Sequence, residues 1–199
     1  MKQIKDHYFH KAKKDGYAAR SAYKLEEMDR RQHLLKKKDR VLDLGCSPGS
    51  WLQYTARQVG SEGEVLGIDL SPVKINLPPQ VTVLQTDIFE IHFEDRFFHY
   101  FDVILSDMAP KTTGIRTVDA QRAHHLCEHV AHLAVQLLKP GGTLLMKAFQ
   151  GAPFEGLRKE IQEQFQQVKI CKPKSSRQES VEIFLLGKQK YGRETKREL

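Results

Sequence analysis

Cysteine is scarce. Only Cys46, Cys127 and Cys171 occur in 199 residues, odd in number, far apart and without a C-x-x-C pair. That argues against a disulfide framework or a zinc ribbon and leaves reduced thiols as the expectation. No apolar run approaches the length a bilayer requires, so no membrane association is expected. The first residues, "MKQIKDHYFHKAKKDGY", have no apolar core before a small-residue cleavage site. Asp6 and Asp15 are also out of place in an organelle transit peptide, so a cytoplasmic location is expected. Two phosphate-binding signatures are missing as well: the glycine loop at residues 45–49 has no Lys-Ser/Thr ending and does not follow G-x-G-x-x-G.

What is present is ordinary for a soluble globular chain, with 40% hydrophobic and 29% charged residues. The length suits one domain with a full core. Charge is unevenly placed. Residues 1–40 hold 13 Lys and Arg against 6 Asp and Glu, so the formal excess of +7 sits in the N-terminal extension. The last 31 residues hold 9 basic against 4 acidic. Two basic ends around a more acidic middle suit a polyanion gripped by both ends, although a charge run alone is equally compatible with a solvated tail.

Apolar spacing through "YAARSAYKLEEMDRRQ" predicts an amphipathic helix over Tyr17–Gln32. Short apolar or alternating runs near 40–45, 64–70, 80–86, 101–107, 142–149, 167–171 and 181–187 predict seven strands, most separated by helix-like segments. A long helix is expected from Val118 to Leu138, stopped by "KPGG". Alternating strand and helix implies a mostly parallel sheet with helices on both faces, because parallel neighbours need crossover connections. The last two strands are joined only by "PKSSRQES", too short for a crossover, so they form an antiparallel hairpin. The tail after Gly187 reads as mobile.

In "VLDLGCSPGSW" a strand feeds a turn built on Gly45 and Gly49, where a Cβ would obstruct a ligand close to the backbone. Asp69 ends the second strand in "VLGIDL", placed to accept ribose hydroxyls, and Asp87 ends the third in "LQTDIF", placed to meet an adenine amine. Loop, Asp69, Asp87 and then "SDMAP", in that order, resemble the class I methyltransferases that use S-adenosylmethionine (SAM). That implies a Rossmann-like fold, and the closing hairpin agrees. SAM has no pyrophosphate, so the missing phosphate fingerprints are consistent with it.

A charged Lys147 inside "TLLMKAF" is costly to bury without a partner, and Asp107, closing the neighbouring strand in "ILSDMAP", is the candidate. Lys24 in "SAYKL" and Glu182 in "SVEIFLL" complete a set of four. With "DLGCSPGSW", "SDMAP", "VDAQRA", "KPGG", "KAFQG" and "KPKSSRQESVE", the chain resembles the FtsJ/RrmJ family of RNA ribose 2′-O-methyltransferases from about Tyr17 to Gly187. The resemblance implies a Lys-Asp-Lys-Glu set around the target ribose, carried here by Lys24, Asp107, Lys147 and Glu182. It implies SAM contacts at Gly45, Gly49, Trp51, Asp69, Asp87 and Asp107, and no metal. It also implies RNA as substrate, with a uridine of 23S rRNA in the large ribosomal subunit foremost; the oligomeric state is left open by the sequence, with a monomer as the expectation. Methylation of tRNA and a non-catalytic role in ribosome assembly stay open. The chain then divides into a basic helical extension (1–39), a catalytic core (40–187) and a mobile tail (188–199). One departure is Ser50 before Trp51, where the family commonly has glycine.

On this reading Lys147 orients the 2′-hydroxyl and accepts its proton, with Lys24 opposing and Asp107 favouring the charged form. Lys11, Lys13, Lys14, Arg20, Arg30 and Arg31, with Lys172, Lys174 and Arg177 in the last hairpin, are candidates for phosphate contacts. His125, His129 and His132 share a helical shoulder but read as surface residues and not as a metal site. Phe97, Phe98, Tyr100 and Phe101 read as core.

Overall fold

The predicted alternation closes into one seven-stranded sheet. The computed structural model describes residues 2–151, 154–175 and 182–192. Its strands are β1 (Arg40–Leu44), β2 (Glu64–Asp69), β3 (Val81–Gln85), β4 (Phe101–Ser106), β5 (Leu138–Phe149), β6 (Phe165–Cys171) and β7 (Glu182–Lys190), with helices α1 (Lys2–Lys14), α2 (Ala22–Gln32), α3 (Ser50–Val59), α4 (Arg116–Leu137) and α5 (Phe154–Gln164). The order across the sheet is β3-β2-β1-β4-β5-β7-β6. The first five pair in parallel, and β7 inserts antiparallel between β5 and β6. The predicted hairpin is therefore present, with its second strand in the interior.

Alternation along the strands sends side chains to two apolar layers. Leu42, Leu44, Ile104, Leu144, Met146 and Leu185 pack toward α4 and α5 with Ala134, Leu137 and Ile161. Val41, Val65, Val103, Leu105, Leu145 and Phe184 pack toward α2 and α3 with Leu25, Met28, Trp51 and Leu52. The basic extension thus contributes part of the core: Leu25 is fully buried, a burial worth about 1.5–3 kcal/mol.

The extension is held by polar contacts too. Asp29 Oδ1 accepts from the N–H groups of Leu34 and Leu35 at 2.8 and 3.0 Å, and its Oδ2 accepts from the Tyr54 hydroxyl at 2.8 Å. One buried carboxylate therefore ties the end of α2 to α3.

Several expectations need correction. Residues 17–21 are not helical, because tertiary bonds hold their backbone: the Ala18 N–H donates to Gln53 Oε1 and the Trp51 indole to the Ser21 carbonyl. Residues 2–14, which carry no strong apolar periodicity, form α1. β5 begins at Leu138, so "KPGG" lies within a strand with an irregular register against β4. β7 runs past Gly187 to Lys190, whose ammonium donates to the Leu138 carbonyl at 2.7 Å, so 188–190 are not a loose tail. Phe101 is core as expected, but Phe98 is exposed. Arg177 and residues 193–199 lie outside the described residues.

Candidate active site

The ends of β1, β2 and β4 converge on the turn after β1. Gly45 and Gly49 both have positive φ, +81° and +108°. A Cβ on Gly45 would stand 2.5 Å from Met108 Cγ, and one on Gly49 would stand 2.6 Å from Ile75 Cδ1. Conformation and space both require glycine at these positions. Gly67 in β2 does the same from below: a Cβ there would meet Cys46 Sγ and Leu52 at 2.9 Å.

Met108 follows Asp107, so the Gly45 contact sets the β4 turn directly against the β1 turn. The Asp107 N–H donates to the Leu44 carbonyl at 3.3 Å. From β5, Lys147 reaches this turn: its ammonium donates to the Asp107 carbonyl at 2.7 Å and lies 3.1 Å from Asp107 Oδ1. The second contact is an ion pair without hydrogen-bond alignment, since Oδ1 is buried and has no donor. Lys147 itself is only 7% exposed.

Lys147 is the register partner of Phe184, and Phe149 that of Glu182. By strand alternation Lys147, Phe184 and Glu182 share the face toward α2. Lys24 on α2 meets that face, with its ammonium 3.7 Å from Glu182 Oε2 and 5.8 Å from the Phe184 ring centroid. The four residues singled out from the sequence thus form two ion pairs, Lys147–Asp107 and Lys24–Glu182, beside one aromatic ring.

The remaining sequence candidates are more occupied than expected. Both oxygens of Asp69 accept backbone N–H groups, from Ser47 at 2.9 Å and Ser71 at 2.7 Å. Asp69 therefore shapes the turn, and each oxygen keeps a second lone pair for a ligand. Asp87 Oδ1 accepts the Phe89 N–H at 3.0 Å. Trp51 is buried, its ring 5.9 Å from that of Phe184, so it braces the site from within the core. The histidines of α4 have other contacts: His125 stacks on Phe89, His129 Nε2 lies 3.0 Å from the Ile88 carbonyl, and His132 lies 2.9 Å from Gln136.

The family model for FtsJ-like methyltransferases matches residues 17–190. The chain belongs to that family. It is 47% identical over 190 residues to the ribosomal RNA large subunit methyltransferase E of Desulfatibacillum aliphaticivorans, covering 94% of this chain and 92% of that protein. It is 46% identical over 188 residues to the protein of the same name from Bdellovibrio bacteriovorus, with 92% and 95% covered. A solved structure described as a ribosomal RNA methyltransferase from Plasmodium falciparum superposes with a TM-score of 0.77 at 31% identity, covering 89% of this chain and all of that one. Aeropyrum pernix fibrillarin, solved with bound SAM, superposes at 0.63 with 16% identity over 84% of this chain and 76% of that one, a likeness of fold. The sheet is thus a Rossmann-like methyltransferase fold.

Two features of this candidate site carried no signal that the sequence reading used. Asp43, in the middle of β1, is fully buried, and neither carboxylate oxygen has a hydrogen-bond partner. Burial pushes its carboxyl well above the usual range, and the charges of Asp107 and Asp69 push it further. The signal was an acid inside the apolar run "VLDL", the same anomaly that drew notice to Lys147. Ser50, first residue of α3, places its hydroxyl 2.7 Å from that of Ser21, joining the glycine turn to the start of α2. The bulk introduced at this position is thereby used in a tertiary contact.

Proposed function

We propose that this chain methylates a ribose 2′-hydroxyl of large-subunit ribosomal RNA, a uridine of 23S rRNA, with SAM as donor. The observation that carries the reading is the buried Lys147–Asp107 pair set against the Gly45 turn. SAM supplies a methyl group on a sulfonium already activated for displacement, so alignment and proton removal are what the protein must add.

The residues at the turn fit such a donor. Asp43 is a buried carboxyl lacking a partner, and the α-ammonium of SAM is a group of the charge and donor type it lacks. Gly45 and Gly49 admit backbone close to the ligand, and the unfilled lone pairs of Asp69 and Asp87 are assigned to ribose and adenine.

Lys147 has three tetrahedral directions at its nitrogen beyond the side-chain bond. One is directed at the Asp107 carbonyl, and a second lies on the side of the Asp107 carboxylate, whose Oδ1 is 3.1 Å away. The third is assigned to the 2′-hydroxyl, as an N–H that orients it or as the lone pair that takes its proton while the new bond forms. Lys24 and Glu182 hold the ribose from the α2 side. Lys11, Lys13, Lys14, Arg20, Lys172 and Lys174 contact flanking phosphates; Arg30 and Arg31 are engaged by Glu26 and Glu27 at 2.6 and 2.9 Å.

Incubation with methyl-labelled SAM and total RNA, followed by mapping of the label, tests the reading. Label on a 2′-oxygen of 23S rRNA is expected. Label on tRNA would move the substrate, and RNA binding without transfer would replace the enzyme with a binding factor.

A further inference from the structure

Glu27 lies one helical turn after Lys24 and has no place in the site so far described. Its Oε1 accepts the backbone N–H of Lys174 at 3.1 Å and its Oε2 that of Ser175 at 3.4 Å. The Arg31 guanidinium sits 2.9 Å from Oε1, anchoring the carboxylate along the same stripe of α2. A carboxylate that accepts two consecutive N–H groups is a charge-assisted clamp on the main chain and fixes the direction of the turn it holds.

Lys174 and Ser175 follow the end of β6 at Cys171, and β7, which pairs with β6, starts at Glu182. Lys24 and Glu27 are thus neighbours on one helix face, the first paired with Glu182 at the start of β7 and the second with the backbone just past the end of β6. Farther along α2, the Gln32 carbonyl accepts from the Lys188 ammonium at 2.7 Å, so the same helix also grips the far end of β7. A narrow crevice between Glu27, Met28 and Arg31 on one side and Ile170, Cys171 and Pro173 on the other marks the seam.

We infer that Glu27 is a positioning residue of the methyl transfer: its carboxylate clamps the backbone of Lys174 and Ser175, just past β6, onto α2, fixing the β6–β7 edge against the helix that carries Lys24 and setting the approach of Glu182 to Lys24 and of Lys172 and Lys174 to the RNA. The inference rests on the proposed RNA methylation. Glu27 has no contact with the glycine turn, so its loss leaves SAM binding intact.

The test compares the wild-type chain with Glu27→Ala and Glu27→Gln, well below their melting temperatures. Amide hydrogen exchange at Lys174 and Ser175 reads the clamp without catalysis. Steady-state methylation of rRNA and SAM titration read its consequence. Glu27→Ala is expected to lose about tenfold or more of the exchange protection at these two amides and about tenfold in kcat/KM for RNA, a factor corresponding to ~1.4 kcal/mol, with the SAM Kd within twofold of wild type. Glu27→Gln, which keeps one acceptor oxygen, is expected to recover part of both and also serves if the alanine variant does not fold. Unchanged exchange, unchanged kcat/KM, or a fall in SAM affinity parallel to the fall in RNA turnover would overturn the inference. A wild-type chain that transfers no methyl to RNA would instead overturn the reading it rests on.

Discussion

Asp43→Asn is expected to make the ligand-free protein more stable and the enzyme worse. In the folded chain the carboxyl is fully buried, has no hydrogen-bond donor and feels the charges of Asp107 and Asp69. Its folded-state pKa is therefore raised. The unfolded chain releases this proton near pH 4 while the folded chain retains it. Stability must then fall as pH rises from about 4 to the folded value, and above that value the full penalty applies. An unsatisfied buried polar group costs about 1–3 kcal/mol. An amide of the same shape still lacks partners but carries no charge, so the part of the penalty that ionisation adds should be relieved at pH 8. For a chain of this size the gain corresponds to roughly 2–4 °C in Tm per kcal/mol. The opposite sign is expected for SAM, because a hydrogen bond to a charged partner contributes about 1.5–3 kcal/mol, or roughly 10- to 150-fold in Kd. Thermal unfolding of the ligand-free proteins between pH 4 and 8, with calorimetric titration of SAM, measures both. A variant less stable than wild type at pH 8 with the same pH slope, or one that binds SAM as tightly, would refute the reasoning.

Lys147→Ala should lower kcat by about 10²–10⁴ with little change in SAM affinity, and Lys147→Arg should not restore it if a lone pair is required; full methyl transfer by either in a single-turnover assay would remove the lysine from the chemistry. Tyr54→Phe leaves Asp29 Oδ2 buried without its donor and should cost about 1–3 kcal/mol in urea denaturation; a loss below ~0.3 kcal/mol would show that the hydroxyl does not hold α3 to α2. RNA affinity should fall on the order of 10²-fold between 50 and 200 mM salt if about five phosphates are neutralised, and a binding isotherm indifferent to salt would contradict the assigned basic contacts.

Much of the sheet could be read from periodicity because seven short apolar runs each end in turn-forming residues, and each became a strand. The length of β5 could not, since Lys139 to Gly142 have poor strand propensity and fall in the register shift between the Phe101–Leu138 and Val103–Thr143 pairs, where the Lys139 ammonium is held by Asp102 at 2.6 Å. Residues 17–21 have helical composition, yet Gln53 and Trp51 bond to this stretch from α3, contacts with no local signature. The ion-paired tetrad was legible because a lysine within an apolar strand demands a partner. Asp43 raised the same demand from the same kind of run, but among the described residues no side chain answers it, so no second residue in the sequence pointed to it. Glu27 was invisible for the opposite reason: on an exposed-looking helix it reads as one member of an ordinary i,i+4 pair with Arg31.

β7 enters the sheet between β5 and β6, and Glu182 at its start meets Lys24 from near the other end of the chain. During synthesis the N-terminal helices and the first five strands emerge with an unfilled slot at the edge of β5, and only the final segment can fill it. The surroundings of Lys147 are therefore completed only after a long-range strand insertion that carries a loop-closure penalty. Until β7 is seated, Lys147 stands on an open sheet edge without Glu182 beside it.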